Sequence, residues 1–87
     1  MVLTEEIQSA LKKGKVIIGY KKSLEFIKND SPELIVMANN ISEKARKEIE
    51  YNAKLSGAKT EIFEGNSKEL GIICGRPFPI MLLVIKK

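Results

Sequence analysis

Ile80-Met81-Leu82-Leu83-Val84-Ile85 is the longest apolar run of the chain. Both alternate sets of positions are apolar, so a strand built from it needs cover on two faces. That is the situation of a central strand in a sheet sandwiched between helices. A bilayer-spanning helix would need roughly 20 apolar residues, far more than this run supplies. Gly75-Arg76-Pro77-Phe78-Pro79 leads into it, and the prolines hold that approach extended.

Outward from this run, Val16-Ile17-Ile18 and Leu34-Ile35-Val36-Met37-Ala38 are two more continuous apolar stretches. Both are too short for ordinary helices and read as buried strands. Gly19 ends the first, and Asn39-Asn40 lead out of the second. Lys59 to Glu64 mixes charges with Thr60 and Ile62, which would share one face, so it reads as a strand at the edge of the sheet.

Helical spacing fills the intervals. Leu3, Ile7, Ala10 and Leu11 repeat on one face, with Thr4 placed as an N-cap, Glu5 and Glu6 in the first turn, and Gly14 as the stop. A second helix runs from about Lys21 to Lys28, burying Leu24 and Ile27 or Phe26, until Asn29-Asp30 and the Ser31-Pro32 step break it. The third starts near Ser42, carries Ala45, Ile49 and Ala53 inward, and ends at Gly57; Glu43 with Lys47, Lys44 with Glu48, and Glu50 with Lys54 pair at four-residue spacing. Asn66 and Glu69 form a capping box that opens a short helix through Leu70, Ile72 and Ile73, closed by Gly75. Helix and strand alternate four times without a linker, which makes residues 1–87 one α/β domain, a three-layer α/β/α sandwich around a four-stranded sheet.

The 87 residues carry 15 Lys and Arg against 11 Asp and Glu, a net charge of +4 that suits an acidic partner such as nucleic acid without requiring one. No histidine is present, which removes the commonest general base, the commonest zinc ligand and every Ser-His or Cys-His nucleophile. Cys74 has no second cysteine to pair with and reads as a small buried residue in a reducing, cytoplasmic setting. No signal-peptide layout follows Met1, and no membrane association is expected.

Three segments combine polar, cationic or aromatic residues at element ends. In Gly19-Tyr20-Lys21-Lys22-Ser23, the glycine permits a sharp turn, and the free N–H groups of the next helix join the lysine ammoniums as an anion site. Its ordinary alternative is a plain strand-to-helix turn with solvated lysines. Asn39-Asn40 can hydrogen-bond an unpaired base, although asparagine is also a common turn residue. In Gly75-Arg76-Pro77-Phe78-Pro79, Phe78 can stack on a base while Arg76 reaches phosphate or a base edge; the alternative is that Phe78 is a core residue opening a strand. If the last strand runs antiparallel to the first two, all three segments meet at one edge of the sheet. Gly65-Asn66-Ser67 lacks the Gly-Lys-Ser/Thr ending of a nucleotide P-loop.

Five segments resemble one family in the right order. They are Lys15-Val16-Ile17-Ile18-Gly19-Tyr20-Lys21-Lys22-Ser23, Leu34-Ile35-Val36-Met37-Ala38-Asn39-Asn40, Ile49-Glu50-Tyr51-Asn52-Ala53-Lys54-Leu55-Ser56-Gly57, Phe63-Glu64-Gly65-Asn66-Ser67-Lys68-Glu69-Leu70-Gly71 and Gly75-Arg76-Pro77-Phe78. The chain resembles the e-type large-subunit ribosomal proteins numbered thirty of archaea and eukaryotes, within the wider kink-turn RNA-binding superfamily. The resemblance implies a mixed sheet and a ribosomal RNA partner, alongside other ribosomal proteins, for a protein that is a monomer away from the cytoplasmic ribosome and uses no cofactor. It implies that Lys21 contacts phosphate or base, Asn40 hydrogen-bonds a base and Phe78 stacks on one, with Gly19, Lys22, Ser23, Asn39 and Arg76 in support. Generic kink-turn binders resemble Gly-x-Asn-Glu after the first strand; this chain has Gly19-Tyr20-Lys21-Lys22, which matches the ribosomal branch. The chain stops at Lys87, so no contact from a longer tail is expected. Two rivals remain at this level: a related RNA-binding module in a guide-RNA or messenger-regulating complex, and a small enzyme or nucleotide binder using the Gly19 or Gly65 turn.

Overall fold

The computed structural model describes residues 3–87, so the first two positions of the expected domain lie outside it. The elements alternate as α1 (Leu3–Lys12), β1 (Val16–Ile18), α2 (Tyr20–Asn29), β2 (Leu34–Met37), α3 (Glu43–Ser56), β3 (Lys59–Ile62), α4 (Ser67–Ile73) and β4 (Leu82–Ile85). Thr4, expected just ahead of the first helix as its cap, lies inside α1 instead. At the third helix Ser42 does cap as expected, accepting a bond from the Ala45 N–H at 3.2 Å. Gly57 closes that helix at φ 72°, a left-handed conformation in which a side chain would be strained.

The sheet order is β1-β4-β2-β3. β4 pairs antiparallel with β1, Ile17 opposite Val84, and antiparallel with β2, Ile35 opposite Val84, while β3 runs parallel to β2. The most apolar strand therefore sits in the interior of a mixed sheet, flanked on both sides. Period-two alternation divides its residues between two cores. Leu83 and Ile85 join Leu34 and Val36 beneath α1 and α4, where Ile7, Ala10 and Leu70 cover them. Leu82 and Val84 join Ile35 and Met37 beneath α2 and α3, where Ile27, Ile49 and Ala53 do the same. The result is the expected three-layer α/β/α sandwich.

Surface pairing on α3 departs from the four-residue pattern in an instructive way. Glu43 and Lys47 do pair, at 3.8 Å, but Glu50 pairs with Arg46 at 3.4 Å rather than with Lys54, and Glu48 accepts a hydrogen bond from the Tyr20 hydroxyl rather than pairing with Lys44. Exposed ion pairs contribute little, so a well-placed hydroxyl from a neighbouring helix displaces one easily.

Gly71, in the middle of α4, marks a close approach between that helix and the segment leading into β4. A Cβ there would fall far inside van der Waals contact of the Phe78 carbonyl oxygen and 3.2 Å from its carbonyl carbon. A residue that weakens a helix is thus required for the approach to β4 to lie flat against α4. Gly71→Ala should destabilise the protein by about 1–3 kcal/mol, the range for forced overpacking, seen as a lower urea midpoint at an unchanged m-value.

Candidate nucleic-acid interface

Strand direction decides which turns meet. β1, β2 and β3 share one direction and β4 opposes them, so the exits of the first three lie at the same rim as the entry to the fourth. Main-chain bonds stitch this rim together. The Gly19 N–H donates to Leu82 O at 3.2 Å, Ala38 N–H to Met81 O at 2.9 Å, Asn39 N–H to Gly65 O at 3.0 Å, and Ile80 N–H to Ser67 O at 2.9 Å. Peptide groups that loops elsewhere would leave to water are paired with one another, which fixes the turns.

Gly19 has φ 110° and ψ 147°, open only to glycine at low cost, and no side chain caps the helix that follows. The first N–H groups of α2 are therefore uncapped, and Lys21 and Lys22 in the same turn are exposed. Asn39 and Asn40 are exposed as well. Phe78 is 50% exposed, whereas Ile80 is the residue that enters the core. The alternative of a core Phe at the head of the strand thus fails, because β4 begins only at Leu82 and leaves Phe78 on the extended approach.

Two of the expected site residues differ from the rest. Ser23 is fully buried and donates to Ile17 O at 3.3 Å, so its hydroxyl ties α2 to β1 and does not face outward. It stands four residues before Ile27 and so shares the face of α2 that packs against the sheet, which removes it from the supporting role that the resemblance implies. Arg76 is exposed, but its backbone is held by Gly71 O at 3.0 Å, beside α4 rather than at the strand ends.

The rim also gathers residues that sequence reasoning passed over. The Gly65-Asn66-Ser67 turn, set aside as an incomplete P-loop, belongs to it because β3 is parallel to β2. Ser67 bonds reciprocally with Asn40. Lys68, exposed in the first turn of α4, adds another cation. The capping box of Asn66 and Glu69, legible in the sequence and formed in the structure, was the signal that a helix starts directly at this turn. Tyr20 was likewise missed: its hydroxyl bond to Glu48 fastens the lysine-bearing turn of α2 to α3.

The family description "Ribosomal protein L7Ae/L30e/S12e/Gadd45 family" fits residues 1–87, and the chain belongs to that family. Within it, the chain is similar to proteins named large ribosomal subunit protein eL30 from three archaea. Identity is 36% with that of Methanocaldococcus jannaschii, over 98% of this chain and 77% of the relative. It is 41% with that of Methanothermobacter thermautotrophicus, over 99% and 88%, and 40% with that of Methanosphaera stadtmanae, over 100% and 89%. Among solved structures, a Giardia lamblia 15.5kD RNA binding protein superposes with a TM-score of 0.82 at 16% identity, covering 98% of this chain and 71% of that one. A Bacillus halodurans protein of unknown function reaches 0.83 at 14% identity, covering 93% and 80%. At such identities these two likenesses concern the fold.

Burial first, and then the hydrogen bond and the negative charge of Glu48, push the Tyr20 hydroxyl up to about 12 from its ordinary 10.0. A pKa raised by folding means that the bond's contribution is complete below pH 10 and is lost as pH climbs through about 12. Alkaline absorbance titration should show one phenolate forming near pH 12, and Tyr20→Phe should abolish that step.

Proposed function

We propose that this chain is a structural component of the large ribosomal subunit that holds ribosomal RNA at the rim formed by Gly19, Lys21, Lys22, Asn39, Asn40 and Phe78. Arg76 and Lys68 extend the cationic field along α4. The observation that carries the reading is the antiparallel insertion of β4, by which the segment leading into it, with the exposed Phe78, comes to the end of the sheet from which the lysine-bearing turn of α2 and the Asn39-Asn40 turn also leave. Lysines there neutralise phosphates, Phe78 stacks on an unpaired base, and Asn40 hydrogen-bonds to another.

A rim of this kind suits a kink-turn or related internal loop, in which a sharp bend crowds phosphates together and turns bases out of the stack. Regular duplex RNA would offer it phosphates but no free base face. The protein works by binding, with other ribosomal proteins as neighbours in the cytoplasmic ribosome, as a monomer away from it, and without a cofactor or a chemical step. Relatives named as large-subunit proteins favour this over a guide-RNA or messenger-regulating complex.

The test is a titration of the unmutated protein with a kink-turn RNA and with a plain duplex of equal length; equal affinity would end the account. Phe78→Ala should cost about 1–3 kcal/mol of binding to the kinked RNA, the worth of one stacked base, and so narrow the preference for it. Lys21→Ala should weaken binding to both RNAs and reduce the slope of log affinity against log salt by about one.

A further inference from the structure

Asn40 is exposed, yet its carboxamide is not free to rotate. Its Oδ1 accepts from the Ser67 backbone N–H at 2.8 Å, and its Nδ2 donates to Ser67 Oγ at 3.2 Å. A peptide N–H can only donate, so the atom facing it must be the carboxamide oxygen. That one contact decides which end of Asn40 is oxygen and which is nitrogen.

The N and Oγ atoms of a single serine lie close together. They therefore engage the edge of the carboxamide on which an acceptor and a donor stand side by side. One N–H and one oxygen lone pair remain, directed away from each other. Fork-like recognition of a purine edge needs the side-by-side pair, which is already engaged. What Asn40 has left to offer is single, directed hydrogen bonds.

Ser67 is itself immobilised. It is 8% exposed, and the capping box before it closes through the Glu69 N–H to Asn66 Oδ1 at 2.9 Å and the Asn66 N–H to Glu69 Oε1 at 3.0 Å. Its carbonyl accepts from the Ile80 N–H, at the end of the approach that carries Phe78. Through one residue, the orientation of the amide is referenced to the backbone that presents the aromatic ring.

We propose that Ser67 is a positioning residue for RNA recognition: it sets the carboxamide of Asn40 so that one oriented N–H meets an acceptor on an unpaired base. The proposal rests on the reading of the rim as an RNA interface. Ser67 touches no RNA; it acts through Asn40, and its contribution is pre-organisation of a side chain that would otherwise sample both orientations of its amide.

Ser67→Pro removes both the N–H and the hydroxyl at the first position of α4, where proline suits a helix. That variant, Asn40→Ala and the double variant are titrated with a kink-turn RNA and with a plain duplex, after circular dichroism and thermal melting have established that each is folded. Ser67→Pro should weaken the kinked RNA about five- to tenfold, the scale of one hydrogen bond. It should leave duplex binding and the salt slope unchanged, and it should cost nothing further in the Asn40→Ala background. In the free protein, the Asn40 side-chain amide proton bonded to Ser67 Oγ should exchange with solvent more slowly than the other, and Ser67→Pro should erase that difference. Unchanged binding by Ser67→Pro, additive losses in the double variant, or equally fast exchange of both Asn40 amide protons in the unmutated protein would each overturn the proposal. Asn40→Ala binding as tightly as the unmutated chain would instead remove Asn40 from the interface, a separate failure of the underlying reading.

Discussion

Burial of β4 between β1 and β2 is the constraint from which the rest of the molecule follows. Leu82, Leu83 and Val84 have no accessible surface, and the alternation of their side chains supplies both cores at once. An apolar strand of this kind is stable only where partners flank both edges and helices cover both faces. Once it is inserted against the direction of its neighbours, its entry has to meet their exits. A parallel β4 would have carried Phe78 to the other end of the sheet, away from Lys21 and Asn40.

The rim combines a rigid frame with free side chains. Its peptide groups are bonded across the turns, from Gly19 to Leu82, Ala38 to Met81, Asn39 to Gly65 and Ile80 to Ser67. Ordering costs that a flexible loop would meet on binding have been met during folding, which favours recognition of a shaped partner. The turns also receive support from behind: Tyr20 reaches Glu48 on α3, Ser23 reaches the carbonyl of Ile17, and Gly71 lets the Phe78 approach lie against α4.

Element order and type were legible because each depends on neighbours in the chain. The apolar runs marked the strands, Ser42 with Gly57 bracketed α3, and Asn66 with Glu69 announced α4. The central place of β4 followed from its having no polar face. Strand direction was not legible, since Ile17, Ile35 and Val84 come from distant parts of the chain and nothing local encodes their pairing. The same limit explains the smaller misses. Glu48 abandons its four-residue partner for a tyrosine on another helix, Ser23 turns inward on the face of α2 that carries Ile27 against the sheet, and Ser67 meets Asn40 only when β3 lies parallel to β2. Lys21, Asn40 and Phe78 were singled out by residue type and by family resemblance; their exposure at a shared rim is a tertiary fact.

The strand flanked by β1 and β2 follows the other seven described elements in sequence. β2 and β3 are separated by a single helix and can associate early, but among the described residues β1 pairs only with β4, with Val16 facing Ile85. During synthesis, then, β1 has to wait for β4, and contacts between segments so far apart in the chain are intrinsically slow to close. The Asn39-Asn40 and Gly65-Ser67 turns can meet through β2 and β3, but the Gly19 turn and the approach carrying Phe78 join them only with β4 in place, so the surface is not assembled before that strand has been made.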